Sequence, residues 1–186
     1  MPSETEIASN ALTKLGASPI TDIDDPYAQR AVLCKSYYKN TRDAVLRAYP
    51  WNCAIERMAL ALSLDTPVYG YSYKFQLPVV PYCLRVLEVE EDVEHKIEGR
   101  FLLCDESSVN IKFIKRIEDT GLFDSLLQEA IECRLAAELA YPVTGSPTLI
   151  QAMWALYAEK LREARTIDAM EITQDIWTSN ALIEVR

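Results

Sequence analysis

The spacing of apolar residues changes period twice along this chain, and that alternation limits the fold more than any single motif does. The opening is helical. Ser3 is placed to cap a helix with Glu6 three residues later, and Ile7, Ala8, Ala11, Leu12 and Leu15 form one stripe before Gly16. This predicts a helix over 4–15. Asp25-Pro26 supplies a second cap followed by proline at the first helical position, and no breaker follows until Pro50. The expected second helix, 26–49, has about 24 residues and a length of roughly 36 Å. Its apolar positions, Tyr27, Ala31, Cys34, Tyr38, Val45, Leu46 and Tyr49 with Leu33 and Tyr37 alongside, exceed one narrow stripe. A helix covered on two sides fits a bundle or a subunit contact.

From Tyr71 the period becomes two. Tyr71, Tyr73, Phe75 and Leu77 alternate with polar neighbours ahead of Pro78, and Leu84 to Val89 is apolar in the manner of a covered strand. A hairpin is expected over Ile97 to Cys104, turning at Glu98-Gly99-Arg100, and Val109, Ile111 and Phe113 alternate again. Together these place a small antiparallel sheet across 71–117. The preceding segment, Cys53 to Leu64, reads equally as a short helix or an apolar strand.

Helical spacing returns at Phe123. Leu126, Leu127, Ala130, Ile131, Leu135 and Leu139 line a helix over 123–141 that Pro142 should stop, and Ser146-Pro147 restarts one over 147–170. The short link makes an antiparallel helical hairpin. The fold class is therefore α+β: a mostly helical bundle with a small antiparallel sheet inserted between its N-terminal and C-terminal helix pairs. Residues 1–171 form a single domain, and 172–186 form an extended C-terminal arm. That arm carries Ile176, Trp177, Leu182, Ile183 and Val185, apolar enough to dock on something.

Composition narrows the function. The net charge of −9 works against a phosphate-binding surface, and Lys112, Lys115 and Arg116 make too small a basic cluster to reverse that. The longest apolar run, near Met58 to Leu64, is far short of a bilayer span, and the acidic N-terminus has no export signal, so no membrane anchoring is expected. Five scattered cysteines (Cys34, Cys53, Cys83, Cys104, Cys133) read as buried thiols of a reducing compartment. With a single histidine, His95, in a charged run and no Cys-x-x-Cys pair, no zinc site is assembled within the chain, and no nucleophile motif accompanies that imidazole. The five glycines are isolated, so no phosphate loop or dinucleotide fingerprint exists and no cofactor is expected. Acid clusters at Asp22, Asp24 and Asp25 and at Glu88 to Glu94 offer carboxylate pairs, but consecutive acids in loops read as a solvated face.

The order of motifs resembles the head-to-tail adaptor proteins of short-tailed bacteriophages, the group that includes tail tubular protein A and related gatekeeper or tail accessory proteins. The matching stretches are Ala11 to Gly16, Tyr38 to Ala54, Tyr73 to Val89, Phe123 to Ala140 and Tyr157 to Glu171. Where the family has Pro-Ala-Asp-Cys, this chain has Pro78-Val79-Val80-Pro81-Tyr82-Cys83. The resemblance implies a structural virion protein, not an enzyme: a ring of twelve copies, seated at the neck between the portal protein and the tail nozzle protein and assembled in the host cytoplasm. DNA would pass through its channel without sequence-specific binding. The alternatives are a tail-associated peptidoglycan hydrolase and a cytoplasmic α+β binding module.

On this reading the partner-interface candidates are Ile176, Trp177, Leu182, Ile183, Val185 and Arg186 of the arm, with Asp168 and Glu171 positioning its root through ion pairs. Trp51 and Trp154 are expected as core anchors.

Overall fold

A computed structural model describes residues 3–90 and 93–171, and it is α+β as the two changes of period require. Helix α1 spans Glu4–Lys14, its Ser3 hydroxyl accepting from the Glu6 N–H at 3.1 Å, and it ends where Gly16 takes a φ of +71°. It buries Ile7, Ala8, Ala11 and Leu12.

Helix α2 spans Gln29–Ala48, so it has 20 residues and starts three positions later than the proline signal implies. The acids ahead of it are used differently. Asp22 accepts from the Asp24 N–H and Asp25 from the Tyr27 N–H, both at 2.9 Å, so these side chains hold consecutive turns instead of capping a helix. Tyr27 is left fully outside.

Helices α3, Ser125–Thr144, and α4, Pro147–Glu171, form the expected antiparallel hairpin. Asp124 caps α3 by accepting from the Leu126 and Leu127 N–H groups at 2.9 and 3.3 Å. Pro142 does not stop α3. It sits in the last turn, where its missing N–H removes one bond, to the Glu138 carbonyl, on a side open to solvent, and the helix closes at Gly145 with φ +65°. The Ser146 hydroxyl then accepts from the Leu149 N–H at 3.3 Å and Pro147 opens α4.

The β region begins earlier than the sequence suggests and forms two sheets, not one. After a 3-10 turn at Asn52–Ala54 come β1 (Ile55–Ala59), β2 (Ala61–Leu62), β3 (Tyr73–Gln76), β4 (Cys83–Val89), β5 (His95–Glu98), β6 (Phe101–Cys104) and β7 (Asn110–Lys115). One antiparallel sheet has the order β1-β7-β4, the other β2-β3-β6-β5. The ambiguous segment 53–64 thus resolves as a turn and two strands that pass from one sheet into the other.

Two cores result. The larger joins all four helices to Leu84 and Ile114 of the first sheet and to Ile117 just beyond it; the smaller lies between the sheets and holds Phe75, Leu102, Cys104, Ile111 and Phe113. Strand β7 belongs to both. Alternation along it sends Ile111 and Phe113 to the smaller core and Ile114 to the helices, which is why its sequence is apolar on both faces. Trp51 is 1% exposed and donates its indole N–H to the Val45 carbonyl at 3.0 Å, as an anchor should. Trp154 is not one: it is 37% exposed on the outside of α4.

Candidate interaction surfaces

Three arrangements stand out: a clamp joining helices to strands, and two apolar surfaces without cover. The clamp centres on Tyr82, the residue in the loop where this chain departs from the adaptor pattern. The guanidinium groups of Arg100 and Arg116 lie over its ring, each at 4.2 Å from the centroid. Arg100, at the tip of the β5–β6 hairpin, donates to the carbonyls of Cys83 at 2.6 Å and Pro78 at 2.5 Å. It fixes both ends of the loop between β3 and β4 with one planar cation. Arg116, just past β7, binds Asp43 Oδ2 through Nε at 2.8 Å and a terminal nitrogen at 2.7 Å. The other oxygen of Asp43 accepts from Arg42 on the same helix, at 2.9 and 3.0 Å. Arg47 of α2 donates to the Leu84 carbonyl of β4, while Arg85 donates back to the Arg47 carbonyl at 3.3 Å. Helix α2 and the first sheet are therefore tied by directional, charge-assisted bonds.

The first apolar surface runs along α4. Of its 25 residues only Tyr157, Ala164 and Asp168 are buried, all on the side that meets the rest of the helical core. Beside that face Trp154, Ala158, Leu161, Arg165 and Ala169, spaced by three or four residues, line a groove together with Arg162 and Met170. Arg134 of α3 borders it, its guanidinium 5.5 Å from the Trp154 ring and 5.4 Å from the Tyr157 ring, and it donates to the Tyr157 hydroxyl at 3.3 Å. Arg165 lies 5.4 Å over the Tyr49 ring. In a chain of net charge −9, this groove is bordered by three arginines.

The second is the loop between β2 and β3. Val68 is 97% and Tyr69 88% exposed, with Leu64 also in solvent. The base of the loop is held by Ser72, whose N–H and hydroxyl both donate to Asp105 Oδ1, at 2.7 and 2.8 Å.

Asp168 has a different role from the one expected. It makes no ion pair among the described residues. Its Oδ1 accepts from the Asn52 N–H at 3.1 Å and its carbonyl from the Asn52 side-chain amide at 2.8 Å, fixing α4 to the turn before β1. Burial raises its pKa, the Asn52 N–H opposes that rise, and the charge of Glu171 adds to it. Its Oδ2 is buried without a hydrogen-bond partner among the described residues. Glu171 is exposed at the end of α4. The arm candidates Ile176, Trp177, Leu182, Ile183, Val185 and Arg186 lie outside the described residues.

The acid clusters are engaged in structure. Asp24 pairs with Lys35 at 2.8 Å, which lowers its pKa, and Glu88 pairs with Lys112 at 3.1 Å. His95 is exposed on β5, its Nδ1 3.0 Å from the Val93 carbonyl. Among the described residues no group of three His, Cys, Asp or Glu is placed to hold a metal, and no helix is long and apolar enough to cross a membrane.

The groove is hidden in the sequence because Leu149, Ile150, Met153, Leu156 and Tyr157 already supply a series that packs against the helical core. The signal was the second series, Trp154, Ala158, Leu161, Arg165 and Ala169, offset around the helix from the first. Neither the known protein-family models nor the curated proteins contain a match to this chain.

Proposed function

We propose that this chain is a structural adaptor subunit of a bacteriophage virion. It forms a ring that joins the portal protein to the tail nozzle protein and lines the path of the DNA. The observation that carries this reading is the pair of apolar surfaces that no described residue covers, one on α4 and one at the β2–β3 loop. A subunit that only had to be soluble would gain nothing by exposing Tyr69, Val68 and the Trp154 groove together, whereas a joint needs contacts at more than one place. The clamp at Tyr82 supports the same role, since it couples the helical layer to the sheets through bonds that resist relative displacement. The resemblance in motif order supplies the identity of the partners, and the arm 172–186 is the third contact.

The test is electron microscopy and mass measurement of the purified chain alone and with portal protein. A ring of fixed copy number, formed alone or on the portal, is the expected result. A monomer that yields no higher complex with portal sinks the reading.

A further inference from the structure

We propose that, in the free subunit, the groove along α4 is the docking surface for residues 172–186 of the same chain. This concerns the chain before assembly and stands apart from the adaptor reading.

Reach comes first. The groove runs from Trp154 to Met170, about 24 Å of helix, and its far end is formed by Ala169 and Met170, next to the point where the arm begins. No linker is needed. Four residues, 172–175, are enough for a chain to turn back, and most of the arm's apolar residues follow them, from Ile176 on. The remaining residues, 176–186, cover about 16 Å as a helix or about 35 Å if extended, lengths that bracket the groove.

Chemistry comes second. The groove presents Trp154, Ala158, Leu161 and Met170 with Arg162 and Arg165, and neither arginine has an ion-pair partner among the described residues. The Nε of Arg165 is buried with no hydrogen-bond partner among the described residues. The arm offers Ile176, Trp177, Leu182, Ile183 and Val185 interleaved with Asp175 and Glu184. Apolar surface would meet apolar surface, and two acids would meet two arginines. Because the arm is tethered at the groove's end, its effective concentration is in the millimolar range or above, so a weak contact suffices to hold it. The same arm is then free to exchange this site for a partner.

The test is hydrogen exchange, followed by mass spectrometry, on the dilute full-length chain. Arm amides should exchange at least about tenfold more slowly than in a free peptide of the same sequence, to the same degree at two protein concentrations. Ala158 is exposed, so Ala158→Asp places a charge in the groove without touching the core; it should remove the protection of the arm while α1 to α3 keep theirs. Met170→Asp, at the exposed far end of the groove, should act alike. Arm exchange as fast as the free peptide overturns the proposal. So does protection that grows with concentration, which assigns the groove to a second copy, and so does protection indifferent to both substitutions, which places the arm elsewhere. None of these outcomes bears on whether a ring forms with portal.

Discussion

Asn52 and Asp168 grip each other twice across 116 residues of sequence: the Asn52 N–H donates to the Asp168 carboxylate at 3.1 Å and the Asn52 amide donates to the Asp168 carbonyl at 2.8 Å. The pair sets where the last turns of α4 lie, and so the direction in which the arm departs. Asn52→Ala should lower stability by about 1–2 kcal/mol, read as a shifted denaturation midpoint at unchanged slope.

The pH dependence of Asp168 has a definite sign. Burial raises its folded-state pKa above the unfolded value, so the folded chain holds the proton more readily. Lowering the pH through the folded pKa therefore adds stability, and the gain is complete below the unfolded value near 4. Compared with Asp168→Asn, which cannot titrate, the wild-type chain should become relatively more stable as the pH falls from 7 towards 4. An unchanged difference between the two denaturation midpoints over that range refutes this.

Arg100 holds the loop at residues 78–83 by bidentate donation and by stacking on Tyr82. Arg100→Lys keeps the charge but loses the planar fork, and it should cost about 1.5–3 kcal/mol. The partly buried Asp43–Arg116 pair should show a smaller coupling, about 1 kcal/mol in a double-mutant cycle, diminishing as salt is raised.

Burial pushes the Cys34 thiol up to about 11 and raises Cys53, Cys83, Cys104 and Cys133 as well. At pH 7 the folded chain should therefore resist alkylation by iodoacetamide, and all five thiols should react once denaturant is added. Rapid modification of Cys34 in the native protein would contradict its position.

If the arm and the β2–β3 loop are contacts, Trp177→Ala, deletion of 179–186 and Tyr69→Ser should each keep the circular dichroism spectrum, and Tyr69→Ser, at an exposed site, should hold stability within about 0.5 kcal/mol. Each should weaken attachment to the portal or nozzle protein in co-sedimentation. Full binding by all three variants would leave these surfaces without a role.

The four helices were legible because each carries a strong periodic stripe and a cap or stop of known chemistry. The failures share a cause: one residue type serves two kinds of local structure. Asp25-Pro26 reads as a helix start, yet the Asp25 side chain bonds the Tyr27 N–H and makes a turn. Pro142 reads as a stop, yet in the last turn it costs a single bond. Splitting the β region into two sheets depends on pairings such as Ile55 with Ile114 and Tyr73 with Cys104, which local pattern does not contain. Asp168 reads from the sequence as an ion-pairing residue at the root of the arm, and its bonds to Asn52, 116 residues away, are not contained in any local pattern.

Phe113 and Ile114 are neighbours on one strand, yet one is sealed into the space between the sheets and the other into the helical layer. The two cores thus lie back to back on the first sheet, through this pair on β7 and through Cys83 and Leu84 on β4. A one-residue slip of β7 would exchange their contents and spoil both at once, so the strand tolerates no insertion. A load applied to the helices therefore reaches the second sheet through side chains packed on both faces of the first, with β7 at its centre.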